Sequence, residues 1–106
     1  MVVARVFLVT SQSEKQTRRR VMSKRHELKT IQPYFEDVAN GIKKFEIRKN
    51  DRNYQIGEEV ELQEFVEPET YTGRNIRADI TYIVDDPRFC KEGFVVLGIE
   101  VYAQNF

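Results

Sequence analysis

The 106-residue sequence predicts a mainly β domain of α+β type: a small barrel of about five strands with one short helix packed against it. Three observations lead there. Ile76, Ala78, Ile80, Tyr82 and Val84 alternate with Arg77, Asp79 and Thr81, the clearest period-2 pattern in the chain. Helical spacing occurs convincingly only between Pro33 and Gly41. The remaining apolar runs are short and separated by turn residues, and short strands remove their exposed edges best by curling into a barrel.

In chain order, His26 to Thr30 predicts a first strand. Pro33 suits a helix start, where its missing N–H costs nothing, and Gly41 supplies the stop. Tyr34, Phe35, Val38 and Ala39 lie between them at helical spacing, giving about two turns whose aromatic side is expected to face the core. Phe45 and Ile47 then alternate with Lys44, Glu46 and Arg48, which predicts a half-buried strand. Asn50 to Asn53 is turn material, because Asn and Asp side chains bond nearby backbone, and the connection continues to Gly57. Glu59 to Phe65 reads as a strand with Val60 and Leu62 on one face and Glu61 and Gln63 on the other. Pro68 to Gly73 breaks it, and Asp85-Asp86-Pro87 ends the strand that follows. The last strand, Phe94 to Tyr102, is apolar on both faces until Glu100, which suggests a central place in the sheet.

Composition narrows the function classes. A hydrophobic content of 41% supports one small core, and no apolar run approaches the ~18 residues of a membrane span. Cys90 is the only cysteine, so neither an internal disulfide nor a cysteine zinc cluster can form. These features lead us to expect a cytoplasmic monomer without cofactor or metal. The net charge of zero hides an asymmetry. Residues 1–25 carry seven bases and one acid, net +6, and residues 26–106 carry −6. Residues 1–25 are therefore read as a basic, flexible extension and 26–106 as the domain. Met22 opens a stretch that reads like a natural start, so residues 1–21 are expected to be dispensable.

The densest polar cluster, Gly41 to Arg52, spans the predicted passage from helix to strand. Glu46 and Arg48 share a strand face, and Lys43 lies at the junction. Such spacing can hold a carboxylate among cations with donors left for an anionic or nucleobase ligand. Spacing alone favours a cross-strand ion pair on a solvated face. The two readings part at Arg48→Ala, which weakens ligand binding with little loss of stability in the first and melts the domain in the second.

Gly41, Lys43, Glu46 and Arg48 reproduce the G-x-K-x-x-E-x-R signature of ASCH domains, relatives of the PUA domain. Further stretches resemble a small bacterial and phage branch of that superfamily, a domain of unknown function: His26 to Lys29, Pro33-Tyr34-Phe35, Asn50-Asp51-Arg52, Tyr71 to Arg74 and Gly93 to Gly98. The resemblance runs from about His26 to Tyr102. It implies a PUA-like barrel with a ligand cleft between helix and barrel wall, lined by Lys43, Glu46 and Arg48. Gly41 would permit the sharp helix-to-strand passage, and Arg52 and Arg74 would join the rim.

Two functions follow from this resemblance. The first is a module for single-stranded RNA or a nucleotide-like ligand, in which Lys43, Arg48 and Arg74 hold phosphate or base acceptors and Glu46 accepts from an exocyclic amine. Tyr54 or Tyr71 could stack on a base, although ordinary packing explains both tyrosines as well. The second is an amidohydrolase acting on a nucleoside similar to acetylated cytidine, with Lys43 and Glu46 at its active site. In the similar enzymes a threonine follows the catalytic lysine by three residues, and Glu46 replaces it here. His26, the only histidine, is expected to be a hydrogen-bonded structural residue, and Cys90 a plain loop thiol.

Overall fold

The computed structural model describes residues 24–106. The basic extension therefore lies outside the described residues except for Lys24 and Arg25. Strand β1 spans Arg25–Thr30 and is followed by helix α1, Tyr34–Ala39. Four strands complete the chain: β2 Phe45–Lys49, β3 Glu59–Val66, β4 Thr70–Val84 and β5 Phe94–Asn105. They form one curled five-stranded sheet, a half-barrel of order β1-β3-β4-β5-β2. The β1–β3 pair is parallel and the other three pairs are antiparallel.

The predicted mainly β barrel with one short helix is therefore what folds, with three differences. The break expected from Pro68 to Gly73 is confined to residues 67–69, and Tyr71 to Gly73 belong to β4. Pairing of Phe65 with Tyr71 and Val66 with Thr70 is what draws those residues into the ladder. Strands β4 and β5 are long, with 15 and 12 residues, and register shifts along both β4 ladders accompany the curl of the sheet. The central strand is β4, whereas β5 is interior between β4 and β2.

The core lies inside the curl. Val60 and Leu62 of β3 pack with Ile76, Ala78 and Ile80 of β4 and with Leu97 of β5. Phe35 and Val38 of α1 close one side of it. The opposite face of β3 is not simply solvated, because Glu59 and Glu61 are also buried. Arg25 Nε and the Tyr102 hydroxyl donate to Glu59, and Arg77 Nε donates to Glu61 at 3.0 Å. Burial of these carboxylates is tolerated because donors come with them.

The ladder does not close. Strands β1 and β2 remain the two sheet edges, and arginine side chains bridge the seam. Arg48 Nη1 donates to the Lys29 carbonyl at 2.9 Å, and Arg52 Nη1 donates to the Glu27 carbonyl at 3.0 Å. These acceptors are alternate carbonyls of β1, whose ladder partner β3 lies on its other side.

Candidate functional site

Helix α1 ends in a way that places Lys43. The Ile42 and Lys43 amides both donate to the Asp37 carbonyl, and Gly41 adopts φ +76°, a left-handed turn that suits glycine. The chain then enters β2, which pairs Glu46 with Leu97 and Ile47 with Val96 of β5. Leu97 is fully buried, so its partner Glu46 points into the half-barrel. Alternation of apolar and charged residues would by itself turn Phe45 and Ile47 inward. The structure has the reverse: the Glu46 side chain is 4% exposed, while Phe45 and Ile47 are 43% and 60% exposed.

The inversion is held by charge. Lys43 Nζ lies 2.6 Å from Glu46 Oε2, and Arg48 Nη2 and Nε reach Oε1 at 2.8 and 3.1 Å. A buried carboxylate with two cations on opposite oxygens escapes the penalty of an unpaired buried charge. Lys43 also donates to the Phe45 carbonyl at 2.5 Å and sits 5.0 Å from the Phe45 ring centre. Arg48 Nη2 donates further to Thr30 Oγ1 at 2.9 Å. The triad thus joins the end of α1, β2 and the free edge of β1.

A cavity of about 490 Å³ opens over this triad. Lys43, Glu46 and Arg48 line it together with Thr30, Tyr34 and Ile31. Its volume suits a nucleoside-sized ligand. Tyr34 corrects the expectation that the aromatic side of α1 faces the core: Phe35 and Val38 are buried, but Tyr34 is 50% exposed at the cleft. A helix this short presents only a narrow inward stripe, and Phe35 occupies it.

The other residues singled out from the sequence lie elsewhere. Gly41 borders a neighbouring cavity of about 570 Å³, which shares Lys43 as a wall. Arg52 serves the β1 seam. Arg74 is built into a separate network, donating to Glu64 at 2.7 Å and to Glu36 at 3.0 Å. Its guanidinium lies 5.1 and 4.5 Å from the ring centres of Phe35 and Phe106, which also pack against each other. That arginine, helped by Thr72 and Gln32, holds the Glu64 carboxyl down at about 2. Tyr54 is buried in edge-on contact with His26, and burial pushes its hydroxyl pKa up. Tyr71 is exposed and packs edge-on against Phe65. His26 is buried with Nε2 2.7 Å from Glu58 Oε1, the structural role expected of it. The Cys90 thiol donates to the Val84 carbonyl in its loop.

Sequence reasoning missed Thr30, Ile31 and Tyr34 as cleft residues. The available signal was the spacing of cations three before and two after Glu46, which supplies a carboxylate with counterions for burial. Among the described residues no group of three or more His, Cys, Asp or Glu side chains is arranged to hold a metal, and no helix is long and apolar enough to cross a membrane.

Residues 25–99, which run from the start of β1 into β5 and contain the whole triad, match the family model DUF3850, a domain of unknown function. The chain belongs to this family. It is also 43% identical over 65 residues to an uncharacterized 12.9 kDa protein in the GpA 3′ region of Escherichia phage P2. That alignment covers 61% of this chain and 59% of the phage protein. DUF3850 thus includes the seam, α1 and the cleft as one unit.

Proposed function

We propose that this DUF3850 domain is an ASCH/PUA-like binding module that takes an unpaired base of RNA, or a nucleotide-like ligand, into the cleft over Lys43, Glu46 and Arg48. One observation carries the reading: a buried carboxylate clamped by two cations forms the floor of a nucleoside-sized cavity, with half-exposed Tyr34 on its wall. Charged donors and an acceptor at the base of an apolar-walled cleft can fix the edge of a planar heterocycle, while an aromatic face stacks on it. The net charge of −6 on residues 26–106 argues against a broad grip on duplex DNA and for a local pocket. On this reading the protein acts as a cytoplasmic monomer.

Binding is favoured over hydrolysis by the residue at position 46: the similar amidohydrolases have a threonine three residues after their catalytic lysine, and here Glu46 takes that place with its carboxylate already held by Lys43 and Arg48. Fluorescence anisotropy with short single-stranded RNA tests the proposal, using the full chain, a chain starting at Met22, and Lys43→Ala. Binding kept by the shorter chain and lost in Lys43→Ala is expected. Binding that vanishes with the basic extension, or falls steeply with salt regardless of Lys43, would assign it to counterion release instead.

A further inference from the structure

We infer that the second cavity, which meets the cleft at Lys43, is a further subsite that takes the neighbouring nucleotide of the same strand. This inference rests on the nucleobase reading above and deepens it: the ligand is a single strand of at least two nucleotides rather than a free nucleoside or mononucleotide.

The topology creates this cavity. Strand β2 pairs with β5 only between Phe94 and Gly98, and the Ile99 amide then donates to the Lys44 carbonyl at 3.1 Å. Past that tie β5 runs on to Asn105 without β2 beside it. Helix α1 is tied to it again at Gln104, whose Nε2 donates to the Ala39 carbonyl at 2.9 Å. Both ties belong to the lining of the cavity, which measures about 570 Å³. Its apolar part comes from the core: Val38 and Ile99 are buried, and Val101 packs against them partly buried. Gly41 leaves its side open, since nothing lies within 4 Å of where a side chain would begin. Thr81, set in the register shift between Ile80 and Tyr82, adds an exposed hydroxyl.

Charge says what kind of ligand spans the two cavities. The cleft carries Lys29, Lys43 and Arg48 against Glu46 and Glu67, and the second cavity carries Lys43 and Lys44 against Glu100. Each is net positive, although residues 26–106 together carry −6. Two adjoining positive cavities on an acidic body match a polyanion of limited length. Lys43 is committed to Glu46, whereas Lys44 is exposed and no carboxylate among the described residues pairs with it. A strand with one base in the cleft crosses Lys43 to reach the second cavity. Its bridging phosphate is thereby brought to Lys43 and Lys44, the latter a point charge free to meet it. The next nucleotide then enters a space of suitable volume with an apolar wall.

The test changes the ligand, so it does not depend on a variant that folds. In a uridine and an adenosine series, the nucleoside 3′-monophosphate, the dinucleotide and the dinucleotide with a neutral methylphosphonate linkage are titrated into the full wild-type chain. Backbone amide shifts at Thr30 and Tyr34 report the cleft by NMR, and those at Thr81, Val101 and Gln104 report the second cavity. We expect the dinucleotide of at least one series to bind at least about tenfold more tightly than its monophosphate. It should shift Thr81, Val101 and Gln104, which the monophosphate leaves in place, and the methylphosphonate should lose most of the gain. A dinucleotide no tighter than the monophosphate in either series, or one that leaves those three amides unshifted, would overturn the subsite and leave the nucleobase reading standing. A methylphosphonate as tight as the charged dinucleotide would overturn the path across Lys43 and Lys44. If no ligand shifts either set of amides and short RNA shows no anisotropy change, both readings fall. Lys44→Ala, checked for folding by its amide spectrum, should narrow the preference for dinucleotide over monophosphate, and an unchanged preference would count against Lys44 as the phosphate partner.

Discussion

Replacing Arg48 by alanine removes four hydrogen bonds at once: two to Glu46, one to the Lys29 carbonyl and one to Thr30 Oγ1. It strips one of two cations from a carboxylate that is 4% exposed, and it unties the seam between the two edge strands. Severing a buried ion pair by removing one partner costs about 3–5 kcal/mol. Lys43 still contacts Glu46 in the variant, so the lower end, about 3 kcal/mol, is the expected loss. For a domain of this size that lowers Tm by about 12–24 °C. Thermal unfolding followed by circular dichroism reads the shift directly. Arg48→Lys, which keeps the charge but not the planar fork, should fall between the two. The triple variant Lys43→Met/Glu46→Leu/Arg48→Met should recover much of the loss, since it removes all three charges of the cluster. An Arg48→Ala protein that melts within about 2 °C of wild type would refute the reasoning, showing that the seam and the buried pair contribute little. The sequence left two readings of this residue open, and the geometry makes Arg48 both a cleft wall and a structural bridge.

Tyr34→Ala should weaken binding of short single-stranded RNA by about 1–3 kcal/mol in anisotropy titrations, with little change in Tm because the ring is half-exposed. Gly41→Ala should cost about 1–2 kcal/mol in urea unfolding through its left-handed conformation alone, since nothing lies within 4 Å of the added carbon. Glu64 carries an acid-sensitive part of the stability. Its folded pKa of about 2 lies below the ordinary 4.5, so its contribution is full above about pH 4.5 and is lost as pH falls toward 2. Denaturant unfolding of Glu64→Gln should therefore show reduced stability at pH 7 and a shallower decline across that acid window than wild type.

How far the sequence revealed the fold depends on what each segment had to encode. Alternation puts Ile76, Ala78 and Ile80 of β4 inward as the period predicts, but the register shift between Ile80 and Tyr82 turns Tyr82 outward and packs Ile83 against the core in its place. Strand β2 has the same alternation with the opposite solution. Period 2 says which residues share a face but not which face is buried, and in β2 the deciding factor is the pair of cations waiting for Glu46. The same limit hid the burial of Glu59 and Glu61, whose donors Arg25, Tyr102 and Arg77 lie far away in sequence. Lys43, Glu46 and Arg48 were legible as a site because their spacing is local. Thr30, Ile31 and Tyr34 were not, since only the curl of the sheet brings β1 and the start of α1 against β2. Arg74 shows the converse: it was read as part of the rim, but its chemistry is spent on Glu64, Glu36 and two aromatic rings.

The most direct test of the central claim is to map where a short single-stranded RNA meets the full chain, by amide chemical shifts at moderate salt. The account predicts saturable shifts concentrated at Thr30, Ile31, Tyr34 and Lys43 to Arg48, lost in Lys43→Ala. Shifts confined to residues 1–25, or spread over the surface without saturation, would contradict it.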